Sequence, residues 1–186
     1  MAPQEIESKL ADLLHLFPAS GFAEELFEAI DPERMPTPHR KLLNHNHHMT
    51  VTLEERHSSR VALHVLERRR DGDDYARRLI LTAEPSGKVV LAGIMRLGLH
   101  HCRQEVRERV AEEREPLGRI LIAHNVLRWI EPQAYFRVRL NDAVRGLFRV
   151  AGPPAETYGR VATIYCDYAP AVDLLEVVAP EAGKAE

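Results

Sequence analysis

The sequence has little that would place it among secreted, membrane or metal-binding proteins. It contains only two cysteines, Cys102 and Cys166, which lie far apart and form no metal-ligand spacing. Such low usage is typical of a protein in a reducing compartment. No apolar run approaches the roughly 18 residues of a membrane span, and the first residues lack the basic start of a signal peptide. We therefore expect a cytoplasmic protein with no membrane partner and no metal.

The motifs of the common nucleotide-binding and hydrolase classes are also missing. The sequence has no GxGxxG, no P-loop and no nucleophile elbow. With 25 basic and 28 acidic residues the net charge is −3, so no basic excess favours a nucleic-acid partner. The basic residues 68–70 stand next to the acidic segment 71–74, a pattern that indicates a solvated turn.

The most informative stretch that is present is residues 75–99, YARRLILTAEPSGKVVLAGIMRLGL. It predicts two strands joined by a Glu-Pro-Ser-Gly turn. Strand alternation would put Arg77 on the same face as Leu79 and Leu81. A guanidinium among apolar neighbours is costly unless an anion meets it, so Arg77 is the first candidate for a ligand contact. On the return strand, we expect Gly93 to be small because a ligand or the arginine passes close to it.

The spacing of apolar residues elsewhere predicts an α+β domain. Helical spacing occurs at residues 4–16, 21–30, 102–115 and 141–148 and just after Pro116. Besides the hairpin, strands are expected at residues 60–70, 128–130, 135–140, 157–168 and 171–178. Strands joined mostly by hairpins pair antiparallel, so we expect five or six strands with the helices packed on one side of the sheet.

A histidine cluster, HNHHMT at residues 45–50, precedes a polar segment. His45 and His48 stand three apart, which on a helix would put both on one face and suit a metal. No nearby acid or cysteine completes a motif such as HExxH. We interpret these histidines as polar surface residues, with a histidine-dependent metal hydrolase as the alternative.

Two further positions could contact an anion or a polar group. Pro116 begins a segment whose free backbone N–H groups would suit a carboxylate, although a plain helix start explains them equally. Glu176 interrupts an otherwise apolar last strand. Periodicity leaves open whether that carboxylate faces solvent or a pocket.

Six blocks in this order resemble the chorismate pyruvate-lyase family, closest to the branch described as 4-hydroxybenzoate synthase. They are HMTVTLE (48–54), YARRLIL (75–81), VLAG (90–93), PLGRIL (116–121), TYGR (157–160) and LLEVVAP (174–180). The resemblance implies a six-stranded antiparallel sheet with helices on one side and helical flaps over an internal pocket. It divides the chain into an N-terminal helical extension (1–38), a chorismate lyase-like domain (39–180) and a tail (181–186).

The resemblance also implies an activity, the elimination of pyruvate from chorismate to give 4-hydroxybenzoate or a close analogue, without any cofactor. Arg77 would grip the ring carboxylate together with the amide of Leu117 beside Gly118, and Met49 would line the pocket. Glu176 would meet the ring hydroxyl or the ether oxygen. Because the elimination makes the ring aromatic, the protein mainly has to orient the ether and handle one proton, a task for Glu176 and Arg77.

The resemblance leaves two assignments open. Chorismate has two carboxylates, and Arg119 is the most motif-embedded candidate for the second, with Arg128 and Arg160 as alternatives. For Arg160 a surface or structural role explains the residue more simply. The choice of Arg77 over Arg78 depends on strand register.

The alternative function is a non-catalytic pocket for a small aromatic acid, because the same fold serves as the effector domain of some transcription regulators. We expect no helix-turn-helix in the leading 40 or so residues, which are few and not basic. Either function makes a small molecule the expected partner.

Overall fold

The computed structural model describes residues 3–152 and 155–181. Within them the chain forms an antiparallel sheet of seven strands in the order β1-β5-β6-β7-β4-β3-β2. The strands are β1 (Phe27–Ala29), β2 (Val61–Asp71), β3 (Asp74–Ala83), β4 (Lys88–Gly98), β5 (Arg128–Arg139), β6 (Glu156–Cys166) and β7 (Ala169–Val178). The α-helices are α1 (Pro3–His15), α2 (Thr37–Leu43), α3 (Met49–His57), α4 (Gln104–Ala111), α5 (Leu117–Ala123) and α6 (Asp142–Phe148).

The α+β class and the antiparallel pairing are confirmed, whereas the expected number of six strands is wrong. The seventh strand is β1, which pairs with β5 through Phe27 and Val138. It lies inside the segment 21–30, for which apolar spacing predicted a helix. Three residues are too few to show an alternation of period two, so the pairing partner rather than the local pattern determines this strand.

The expectation that the helices lie on one side of the sheet is also wrong. One face is covered by α1 and α6, whose Leu13 and Phe148 pack with Ile94 of β4 in one buried cluster; Phe17, just after α1, joins this cluster. The opposite face is covered by α2, α3, α4 and α5. Each strand of the sheet centre is therefore apolar on both faces, which hairpin connections alone do not indicate.

The register of the four central strands aligns the residues that the sequence singled out. Leu79 of β3 pairs with Gly93 of β4, which pairs with Glu176 of β7. Glu176 in turn pairs with Arg160 of β6. Because alternate side chains share a face, Arg77 lies on the same face as this row, under α3 and α5.

Gly93 is required by the backbone of the neighbouring strand. A Cβ at this position would lie 2.6 Å from the carbonyl oxygen of Leu175 on β7, a separation that real side chains do not adopt. The close approach of β7 therefore explains why residue 93 is a glycine, in place of the expected passage of a ligand or of the Arg77 side chain.

Several remaining boundaries differ in detail from the prediction. The segment 102–115 is helical only over α4, and Glu113 has a left-handed φ of 56°. The two short strands predicted at 128–130 and 135–140 form one continuous strand, β5, with an irregular register between Pro132 and Ala134. No helix in the described part of the chain is long and apolar enough to cross a membrane.

The close strand approach at Gly93 leads to a stability prediction. We expect Gly93→Ala to lower the free energy of unfolding by about 1–3 kcal/mol, because the added methyl group must push β7 away. Gly146→Ala is the matched control: Gly146 lies in α6 with no atom within 4 Å of an added Cβ. That change should stabilise by roughly 0.5–1 kcal/mol. Urea denaturation measures both, and equal effects of the two variants would contradict the packing explanation.

Candidate functional site

A cavity of about 60 Å³ lies between the central strands and the first turns of α3 and α5. On the same measure one water needs roughly 10–15 Å³, so the cavity has space for several water molecules. Most of the wall is apolar, including Met49, Leu79, Leu91, Met95, Leu117 and Ile164. The charged side chains in the wall are Arg77, Arg160 and Glu176. The structure thus brings together seven of the candidate site residues that the sequence analysis named: His48, Met49, Arg77, Leu117, Gly118, Arg160 and Glu176.

Arg77 is a buried cation with unused hydrogen-bond donors. Its side chain is 1% exposed, and its Nε and Nη1 have no partner among the described residues. Burial lowers the pKa of Arg77, while the nearby Tyr75 and Glu113 oppose that shift. A guanidinium remains charged at physiological pH, so the cavity wall presents a positive charge and at least two free N–H groups.

Tyr75 and Glu113 lie near Arg77, outside the cavity wall. The Tyr75 hydroxyl donates to Glu113 Oε1 at 2.8 Å, and Arg68 Nη1 donates to the other oxygen at 2.9 Å. Burial, followed by the hydrogen bond to Glu113, raises the pKa of Tyr75 to about 12, so its phenol stays neutral. Glu113 follows α4, and this network attaches the segment after α4 to the sheet.

Arg160 of β6 and Glu176 of β7, which are paired neighbours in the sheet, form an ion pair. Arg160 Nε donates to Glu176 Oε2 at 2.6 Å. Its Nη1 donates to the carbonyl oxygens of Leu43 and His45, both at 2.8 Å, and its Nη2 has no partner within the described chain. With Arg160 fully buried, this pair connects the sheet to the end of α2. A surface position for Arg160 is therefore wrong, its contacts fit the structural role, and the residue also reaches the cavity.

The other candidate arginines point elsewhere. Arg78 lies on the opposite face, where its Nη1 donates to Ser20 O at 3.4 Å, so register places Arg77 and not Arg78 at the cavity. Arg119 forms an ion pair with Glu54 and is not part of the wall. Arg119, which the motif favoured for the second carboxylate, is thus already paired with Glu54 of α3.

The histidine cluster divides into surface and cavity residues. His47 is exposed, whereas His48 is 8% exposed and lines the cavity, so the surface interpretation is wrong for His48. Burial, followed by the charges of Arg128 and Arg160, lowers the pKa of His48 to about 4. In the residues that the structure describes, no group of three or more His, Cys, Asp or Glu side chains could hold a metal. Sequence reasoning missed His48 because the local sequence pattern does not distinguish it from the exposed His47.

Comparison with solved structures found several proteins that align with this chain at low sequence identity. A possible transcriptional regulator, YydK from Bacillus subtilis subsp. subtilis str. 168, aligns over 98% of both chains with a TM-score of 0.51 and 7% identity. PhnF from Mycobacterium smegmatis covers 74% of this chain and 68% of its own, with a TM-score of 0.47 and 10% identity. A GntR-family regulator from Bacillus cereus covers 69% and 97%, with a TM-score of 0.44 and 12% identity.

No protein-family model matches the sequence, and no curated protein sequence matches it either. The alignment with the B. subtilis structure supports the α+β fold over nearly the whole chain. At 7% identity it shows the fold alone, so the ligand and the chemistry must be argued from the cavity.

The different partners of the two buried arginines lead to a prediction about the ligand-free protein. Arg160→Met should lower the free energy of unfolding by about 3–5 kcal/mol, because it leaves Glu176 buried without its cation. Arg77→Met removes a charge that has no such partner, so its free energy of unfolding should stay within about 1 kcal/mol of the wild-type value or exceed it. Urea denaturation distinguishes them. Equal losses would mean that Tyr75 and Glu113 stabilise Arg77 as strongly as Glu176 stabilises Arg160.

Proposed function

We propose that this chain binds a small aromatic carboxylic acid in the cavity beside Arg77, and that its main role is binding and not catalysis. The observation that carries the proposal is the state of Arg77, a fully buried guanidinium with free Nε and Nη1. A buried charge without a partner is expensive. A carboxylate is the partner that a planar guanidinium fork fits best, through two parallel hydrogen bonds.

The remaining wall supports an aromatic ring. Leucine, isoleucine and methionine side chains surround the space, and ligand sites commonly combine such a wall with a few convergent polar groups. Met49, Leu117 and Gly118 are part of this wall. We therefore retain for them the roles that the family resemblance implies, with the Leu117 amide as a second donor to the carboxylate.

The charge balance favours a monoanion. The charged groups of the wall are two guanidinium groups and one carboxylate, which leaves one positive charge in the ligand-free cavity. One carboxylate on the ligand neutralises it. A ligand with two carboxylates would leave an uncompensated negative charge in a region of low dielectric.

Two observations support binding over catalysis. Glu176, the residue expected to handle the proton, already has Arg160 as its partner at 2.6 Å. The solved structure that aligns over 98% of both chains is described as a possible transcriptional regulator. Such proteins can use a domain of this kind to sense a ligand, and a sensor needs no proton transfer.

Calorimetric titration with 4-hydroxybenzoate tests the carboxylate contact. We expect Arg77→Met to weaken binding by about 10- to 100-fold, because a hydrogen bond to a charged group contributes roughly 1.5–3 kcal/mol. Arg78→Met is the matched control, since it removes the same charge from the opposite face, and it should bind as the wild type does. The neutral 4-hydroxybenzamide should bind far more weakly. Equal affinity of both variants for the acid would sink the proposal.

Elimination of pyruvate from chorismate is the second candidate, and the presence of Glu176 in the cavity is the observation that favours it. In that reaction the ether bond breaks, a ring proton leaves, and the released enolpyruvate takes up a proton to become pyruvate. Glu176 would accept the ring proton. The free Nη2 of Arg160 would donate to the second carboxylate of chorismate.

Incubation of the protein with chorismate distinguishes the two functions. If binding is the role, chorismate should stay intact at high protein concentration, as judged by pyruvate release and by mass analysis of the aromatic products. Release of pyruvate by the wild type, lost in both Arg77→Met and Glu176→Gln, would instead establish the lyase. Thermal melting of the same variants shows whether they still fold.

A further inference from the structure

The ring of His48 is a polar part of the cavity wall that the function proposed above does not use. His48 is the N-cap residue of α3, yet its side chain makes no capping hydrogen bond. The ring is buried and lines the cavity. A buried ring nitrogen needs a partner, and capping the helix does not supply one here.

Arg128 determines which nitrogen of the His48 ring carries the proton. Arg128 Nε donates to His48 Nε2 at 2.6 Å, and Arg128 Nη1 is held by Val126 O at 2.7 Å. A guanidinium has donors and no acceptor, so Nε2 must be the nitrogen that offers its lone pair. In a neutral imidazole the other nitrogen is then protonated. His48 therefore has a free Nδ1–H.

The position of Gly118 fixes where this N–H lies. A Cβ on Gly118 would lie 3.0 Å from His48 Cβ and 3.1 Å from both Cγ and Nδ1. The ring therefore packs against the first turn of α5, and Nδ1 lies on the side where Leu117 and Gly118 line the cavity. The missing side chain at Gly118 makes this close approach possible.

The charges around the ring keep it neutral and favour an anionic acceptor. The charged groups that act on His48 are Arg128 from β5 and Arg160 from β6, both positive. Burial first, and then these two charges, oppose a proton on Nε2 and lower the pKa of His48 to about 4. The two charges also make the free N–H attractive to an oxygen that bears negative charge.

We propose that His48 contacts the ligand directly, its Nδ1–H donating a hydrogen bond to an oxygen of the bound aromatic acid at the α5 side of the cavity. Arg128 is a positioning residue that holds the ring in this tautomer. The inference rests on the binding function proposed above and adds a neutral donor to the charged donor Arg77. The contact with His48 favours acids that carry an oxygen acceptor close to α5.

The first test measures the tautomer in the ligand-free full-length chain. Nitrogen-15 NMR of the histidine rings, with His48→Phe identifying the resonance, should show His48 protonated at Nδ1. Arg128→Met should release this preference toward Nε2 protonation, a change that a purely structural role of Arg128 would not produce. A His48 ring protonated at Nε2 in the wild type would overturn the inference, whatever the ligand.

The second test measures affinity for 4-hydroxybenzoate by calorimetry. His48→Asn keeps an N–H donor close to the Nδ1 position and should bind within about threefold of the wild type. His48→Phe removes the donor and should lose about tenfold, with thermal melting confirming that both variants fold. Equal affinity of wild type and His48→Phe, alongside a loss in Arg77→Met, would overturn the role of His48 and leave the binding function intact. Absence of binding by the wild type would overturn both.

Discussion

The organisation of the cavity depends on one electrostatic constraint, the burial of two guanidinium groups on the same face of the sheet with one carboxylate between them. Arg160 is satisfied by Glu176 and by two carbonyl oxygens. Arg77 keeps two nitrogen atoms without partners. Tyr75 and Glu113 offset part of the desolvation of Arg77, and an anion at the free nitrogen atoms would offset more of it. Under the proposed function, the hydrogen bonds that ligand-free Arg77 lacks would contribute to the affinity for an acid.

The same buried charges also explain how the segments after α2 and α4 are attached to the sheet. Arg160 donates to the carbonyls of Leu43 and His45 after α2, and Glu113 after α4 accepts from Tyr75 of β3. The polar groups that hold the helices over the sheet thus belong to the same electrostatic network as the cavity. Tyr75 and Glu113 also act on the charge of Arg77, so this network reaches the cavity.

The sequence predicted the features that depend on neighbouring residues and missed those that depend on contacts distant in sequence. Alternation placed Arg77 on a shared face with Leu79, and the register with Gly93 and Glu176 confirms that placement. The burial of His48 could not be predicted, because it depends on Arg128, 80 residues further along the chain. Strand β1 and the helices on the second face were missed for the same reason: contacts distant in sequence determine them, and local spacing does not record such contacts.

Binding and catalysis make different demands on the same residues. A binding site needs partners for the ground-state anion, whereas a lyase needs a group whose interaction strengthens as the ether bond breaks. Glu176 is the one carboxylate in the cavity wall that the structure describes, and it is already bonded to Arg160 at 2.6 Å. Accepting a ring proton would remove the negative charge from this buried pair and leave Arg160 without its counterion. The proton transfer is therefore opposed by the interaction that holds the sheet to α2, and this opposition is the physical argument for a sensor in place of a lyase.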